Sequence, residues 1–229
     1  MGRGYGDYCP IAKASEVVAE RWTPLIIRGL HLDCHSFTEI HEGIPRMSRT
    51  LLAQRLRSLE RAGVVSSRPI QGRRGRWYDL TASGKELAQV CLELGVWGAR
   101  WLDLAPEDYD PGVVLWAWKK HLLRDRLPER RVVVRFDLRD RRKQRFWLLV
   151  DKAHVELCMK DPGFEVDVLI ATDSITLTRV HAGRLGLREA QRMGAWLMEG
   201  RRDLIKAFAT WGGLSYYANV APVTASIPA

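Results

Sequence analysis

Residues 45–63 read PRMSRTLLAQRLRSLERAG, and the fold of the first half of the chain turns on them. On a helical wheel Leu51, Leu52, Leu56 and Leu59 gather on one side, whereas Thr50, Gln54, Arg57 and Arg61 fall on the other. The spacing predicts a helix with one buried stripe and one exposed, basic face. Pro45 and Ser48 supply its start, the serine hydroxyl being suited to cap free backbone N–H groups, and Gly63 supplies its stop. Beyond it, residues 64–70 and 77–80 read as two short strands joined by the turn Gln71-Gly72-Arg73-Arg74-Gly75-Arg76. The order is helix, then hairpin with a basic tip.

From Arg46 to Arg76 there are nine arginines and one acid, Glu60, so this window carries +8 of a total net charge of +9. Charge gathered on one helix and one hairpin is the footprint of a phosphate-backbone binder, and the pI near 9.7 agrees. Ser48, Arg49, Thr50 and Gln54, at the helix front, have side chains suited to base edges. Arg46, Arg57, Arg61, Arg73, Arg74 and Arg76 suit phosphates or the minor groove. Double-stranded DNA is therefore the expected partner.

Working outward, Ile11, Ala14, Val17 and Val18 recur at helical spacing after Pro10, which suits a first turn. Thr23-Pro24 looks like a cap and first-turn proline opening LIIRGLHL, a segment apolar nearly all round and so expected in a core. Ser36 to Glu39 has capping-box spacing and starts a short helix ending near Gly43. That helix, the Gly-Ile-Pro connection and the basic helix make a helix-turn-helix, with the hairpin as its wing. Ser83 with Glu86 offers another cap, opening a helix to about Leu104 whose stripe is Leu87, Cys91, Leu94, Trp97, Trp101 and Leu104, with Val90 beside it. So long an apolar stripe suits either packing within the chain or a two-helix dimer seam.

Cys9-Pro10, Arg21-Trp22-Thr23 with Leu25-Ile26-Ile27, Phe37-Thr38-Glu39-Ile40, the run Leu52 to Leu59, Gly63-Val64-Val65, Tyr78-Asp79-Leu80-Thr81 and Gly84 resemble the HxlR-type winged-helix regulators. The resemblance covers roughly the first hundred residues. It implies a dimeric bacterial DNA-binding regulator, with Ser48 to Ala62 as recognition helix and the helices Pro10–Glu20 and Ser83–Leu104 as the homodimer surfaces. It also implies a redox- or electrophile-sensing role for Cys9, and a helix start with Lys13 one turn on suits a reactive thiol. Where the family commonly has Gly-Lys-Trp this chain has Glu20-Arg21-Trp22, a change in the turn and not in the basic face.

The stretch APEDYD after Leu104 is acidic and unpatterned, and divides the chain into a first domain, 1–104, a linker, 105–111, and a second domain, 112–229. In the second, a helix is predicted over 113–123. Val132 to Leu138, Gln144 to Val150, Ala153 to Met159 and Phe164 to Ile170 then read as four strands, expected to form an antiparallel sheet. Helices follow over 187–193 and 201–211. The alternating strands with Asp167-Val168, Thr176-Leu177, Gly183 and Met198-Glu199-Gly200 resemble the sterol-carrier-protein-2-like (SCP2-like) fold. The resemblance implies an α+β layer around an apolar ligand, and Phe136, Trp147, Phe164, Trp196, Phe208 and Trp211 are the candidate lining. The fold class expected is α+β throughout, winged helix first and SCP2-like layer second.

Four widely spaced cysteines, Cys9, Cys34, Cys91 and Cys158, form no C-x-x-C pair, so free thiols are expected. His31, Cys34, His35 and His41 lie close together but match no common zinc spacing, and no metal is expected. There is no G-x-S-x-G, phosphate loop or H-E-x-x-H, so neither catalysis nor a cofactor is expected. No apolar run reaches a membrane span and the first residues lack a signal-peptide core, which predicts a cytoplasmic protein. The basic run Arg124 to Arg145, ten cations against four acids, leaves one alternative, a lipid carrier docking on anionic membrane.

Overall fold

A computed structural model describes residues 4–72, 74–105, 108–140 and 144–223. The chain divides into two compact units, Met1–Gly98 and Ala99–Ala229, the division falling inside a long helix and ahead of the acidic stretch at 105–111. Two residues of that stretch, 106 and 107, lie outside the described residues.

The first unit runs α1 (Pro10–Val18), α2 (Thr23–His31), α3 (Phe37–Glu42), α4 (Arg49–Arg61), β1 (Val65–Pro69), β2 (Arg76–Leu80) and α5 (Ala82–Trp101). Its core holds Ile26 and Ile27 of α2, a helix apolar nearly all round, and Leu52, Leu56 and Leu59 of α4, all of them buried. Leu51 of the predicted stripe is only half-buried. Ser36 builds the expected capping box: its hydroxyl accepts from Glu39 N, and the Glu39 carboxylate accepts from Ser36 N at 2.8 Å.

Two caps fall elsewhere than the sequence suggests. The residue preceding α2 is Trp22, held at φ 77, and Thr23 is already the first helical residue. At α5 the cap is Thr81 and not Ser83: its hydroxyl accepts from Gly84 N at 3.1 Å and donates to Gly63 O at 2.6 Å. Thr81 prevails because it also ties α5 to the end of α4, where Gly84 approaches so closely that a Cβ would meet Val64 O at 2.1 Å.

The second unit contains α6 (Pro111–Lys120), a 3-10 turn (Arg124–Arg126), β3 (Val132–Leu138), β4 (Arg145–Val150), β5 (Val155–Cys158), β6 (Val168–Thr172), α7 (Ser174–His181), α8 (Leu187–Arg192), β7 (Leu197–Gly200) and α9 (Arg202–Phe208). The expected four-stranded antiparallel sheet is instead a five-stranded mixed sheet, in the order β5-β4-β3-β6-β7. β3 and β6 are parallel, Val134 opposite Val168, because the chain returns from β5 at one edge to the far side of β3. Phe164 and Val166, read as strand, precede β6 in irregular chain.

One face of this sheet, through Val132, Val134, Phe136 and Leu138, joins α6, α7, α8 and α9 in a single core. Val133, Trp147 and Leu149 form a smaller cluster on the opposite face. The six aromatics proposed as a ligand lining are therefore not one wall. Trp196, Phe136, Phe208 and Trp211 follow one another in a chain of ring contacts within the main core, Trp147 points to the other side of the sheet, and Phe164 is 46% exposed. Alternation along β4 sends Trp147 away from its neighbours Phe146 and Leu148.

His181 is buried in the main core, 5.9 Å from the Trp118 ring and 5.8 Å from His121, with Nδ1 2.6 Å from Gly213 O. Burial is the chief cause that pushes its pKa down to about 4, with the nearby His121 adding to it and the Gly213 contact opposing it. Between pH 6.5 and 4 the unfolded chain takes up a proton that the folded one refuses, so stability is lost as pH falls. The full shift corresponds to about 3 kcal/mol. Urea unfolding at pH 7 and pH 4.5 is expected to show a smaller acid-induced loss in H181Q than in the parent chain; equal losses would refute the assignment.

Candidate nucleic-acid interface

α4 forms because leucines at helical spacing meet the core while Ser48 closes its start, its hydroxyl accepting from Leu51 N at 3.2 Å. That arrangement leaves Arg46, Ser48, Arg49, Thr50, Gln54, Arg57 and Arg61 exposed. On the hairpin Arg74 and Arg76 are exposed as well, while Arg73 lies outside the described residues. Strand register, Val65 opposite Leu80 and Pro69 opposite Arg76, places the turn at the far end of the hairpin from α5.

The interface is less uniformly cationic than the sequence count implies. Glu60 accepts a hydrogen bond from the Ser67 hydroxyl, and Arg76 donates to that same hydroxyl at 2.7 Å while lying 3.8 Å from Glu60. Arg76 is thus drawn back from the turn toward Ser67 and the one acid in the window. Arg55 is engaged as well, with Nη2 2.5 Å from Glu20 of the α1–α2 connection. Arg49 stands 6.0 Å from the Phe37 ring. Arg57 and Arg61, one turn apart, have no carboxylate at ion-pair distance among the described residues, Arg61 bonding only Ser58 Oγ and Arg57 O.

The wing is fixed by a device the sequence reading missed. His35, in the loop before α3, stacks on Trp77 of β2 with ring centroids 4.3 Å apart, and Arg68 lies 5.2 Å over the same indole. His35 Nδ1 is 3.0 Å from Tyr78 O, and Tyr78 N donates back to His35 O at 2.8 Å. By sequence His35 stands out only beside His31, Cys34 and His41; its partner is the Trp77 ring of β2. His41 is also used structurally, Nε2 lying 2.9 Å from Met47 O, and Cys34 is wholly buried.

Cys9 stands at the start of α1, half-buried, with its backbone N–H donating to Asp7 at 3.1 Å. The supporting role read for Lys13 does not hold in this arrangement, because its ammonium goes to Glu16 at 3.2 Å. α1 has no buried residue, and Ile11 is largely exposed. α5 buries only Gly84 and Ala88, while Val90, Leu94, Trp97 and Trp101 stand 46–55% exposed.

The family model for HxlR-like helix-turn-helix proteins matches residues 17–106. The uncharacterized HTH-type transcriptional regulator YvaP of Bacillus subtilis is 35% identical over 99 residues, 42% of this chain and 92% of that protein. The HTH-type transcriptional regulator YodB of the same organism is 34% identical over 91 residues, 39% of this chain and 81% of that one. Among solved structures, diamide-treated YodB covers 39% of this chain and 91% of its own, at 33% identity and a TM-score of 0.35.

Proposed function

Because the chain belongs, through its first hundred residues, to the HxlR-like helix-turn-helix family of DNA-binding transcriptional regulators, we propose that it binds its operator as a homodimer. In this reading Ser48, Arg49, Thr50 and Gln54 meet base edges while Arg46, Arg57, Arg61 and Arg74 meet the backbone. The observation that carries it is the exposed face of α4, where Arg57 and Arg61 have no carboxylate at ion-pair distance among the described residues, next to a wing braced by the His35–Trp77 stack. Dimerisation would cover the side of α1 that carries exposed Ile11 and the exposed stripe of α5. A gel shift on the DNA upstream of its own gene, run beside pelleting with anionic liposomes, tests the reading. Retarded duplex is expected; tight liposome binding without any shift would favour the membrane-docking carrier instead.

Two inputs would modulate that binding. The second unit, with its SCP2-like resemblance, would accept an apolar ligand, now confined to the core around Trp196, Phe208 and Trp211. Trp118 and Trp196 bury indole N–H groups there without a hydrogen-bond acceptor among the described residues, which a ligand carrying an oxygen would satisfy. The other input is oxidation at Cys9, supported by similarity to YodB, whose diamide-treated form has been solved. Cys9→Ser is expected to bind duplex as the parent does and to lose any release by diamide; an unchanged response in an anisotropy titration would rule Cys9 out.

A further inference from the structure

Within the first unit a cleft of about 960 Å³ opens between α1 and α4, with Gly4 and Tyr5 of the N-terminal arm at its rim. The arm is held there because Tyr5 N donates to Glu16 at 3.0 Å. The volume falls in the range of small-molecule sites. Its walls are mixed in character. Val17, Ala19 and Leu59 are apolar lining residues, and α4 supplies Arg55, Arg57 and Arg61.

The charges do not cancel. Glu16 accepts from Tyr5 N and from Lys13 Nζ, and Glu20 is taken by Arg55, so both acids of the cleft already have cationic or N–H partners. Arg57 and Arg61 lack such a partner among the described residues. Arg55 also keeps a donor in reserve: its Nε is buried with no acceptor among the described residues. A buried, unanswered guanidinium N–H costs free energy that an entering acceptor would recover. Three donors of one sign facing apolar wall are the chemistry of a site for an anion with an apolar body.

We propose that the cleft between α1 and α4 binds an amphipathic organic anion, an aromatic or aliphatic carboxylate or sulfonate, whose acidic group engages Arg57 and Arg61 with Arg55 behind them. Its effect on DNA rests on the reading given under Proposed function, since the same two guanidinium groups would otherwise meet the DNA backbone. A duplex is convex and touches only the rim, whereas a small anion reaches the interior. Ligand and operator therefore compete, with the effector acting directly on the recognition helix.

The test uses the full chain and a pair of probes, 1-anilinonaphthalene-8-sulfonate and its uncharged counterpart N-phenyl-1-naphthylamine. The sulfonate is expected to bind with enhanced fluorescence and, at saturation, to weaken duplex binding roughly ten-fold, while the uncharged probe leaves duplex binding alone. Ser58→Trp, which fills the cleft from a half-exposed position, is expected to weaken sulfonate binding roughly ten-fold with duplex affinity retained, and Arg61→Ala to weaken the sulfonate without filling anything. Sulfonate affinity unchanged in both variants, or equal displacement of duplex by the uncharged probe, would overturn the proposal. A chain that binds no duplex at all would overturn the DNA reading, whereas sulfonate binding sensitive to both variants would by itself uphold the site.

Discussion

Reversing two charges on α4, Arg57→Glu with Arg61→Glu, is expected to lower affinity for any duplex by roughly two to three orders of magnitude near 0.1 M salt. Both side chains are exposed and touch no acid among the described residues, so no ion pair is lost when they change and the fold loses little beyond the bonds of Arg61 to Ser58 Oγ and Arg57 O. What changes is the release of counterions from DNA. The milder pair Arg57→Ala and Arg61→Ala should flatten the slope of log affinity against log salt by about two, the value for two lost phosphate contacts. Gln54→Ala, one turn nearer the helix start, should behave differently. It should leave the slope unchanged and narrow the gap between operator and random duplex, because base contacts discriminate and phosphate contacts do not. Anisotropy titrations across a salt series measure both quantities. Equal loss on specific and random duplex for all three variants would contradict this division of labour.

The second large effect is expected at α5. Val90, Leu94, Trp97 and Trp101 present a stripe along the helix with each side chain about half exposed, and α5 buries only Gly84 and Ala88. Such a surface exceeds the scattered apolar residues of ordinary monomers and suits a second copy of the chain. Leu94→Asp with Trp97→Asp places charge at the centre of that stripe. Sedimentation equilibrium is expected to give twice the chain mass for the parent and a single chain for the variant. Operator affinity should fall by roughly 10² or more, since two half-sites are then no longer engaged by linked recognition helices. A parent that sediments as one chain, or a variant that stays paired, would refute the seam.

Most of the first unit can be read directly from its residues. Ser36 and Glu39 announce their own capping box, and Leu52, Leu56 and Leu59 in α4 announce which side is inward, because both signals are local and periodic. Thr81 was missed because its advantage over Ser83 is tertiary, a hydroxyl reaching Gly63 O across the join between α4 and the hairpin. The same holds for Glu60, whose value as an acid in a basic window depends on Ser67 and Arg76 lying opposite in the folded chain. In the second unit the apolar patterning identified β3, β4 and β5 and the first half of β6, but not which strands pair. Period two tells which face a side chain takes, while the partner of a strand is chosen by backbone hydrogen bonds that carry no residue signature. The parallel pairing of β3 with β6, and the short edge strand β7, therefore stayed hidden. α7 was missed for a different reason. Ser-Ile-Thr-Leu-Thr is rich in β-branched residues, and the helix is started by Asp173, whose carboxylate accepts from Thr176 N at 2.7 Å and Thr176 Oγ1 at 2.8 Å.

Hydroxyl-radical footprinting of the full chain on the DNA upstream of its own gene puts the recognition helix and wing to the most direct trial. Two protected patches about one helical turn apart are expected, roughly 34 Å centre to centre, both fading as salt is raised and both absent with Arg57→Glu and Arg61→Glu. An unprotected duplex at low salt, or a footprint that survives those two reversals, would contradict binding through α4.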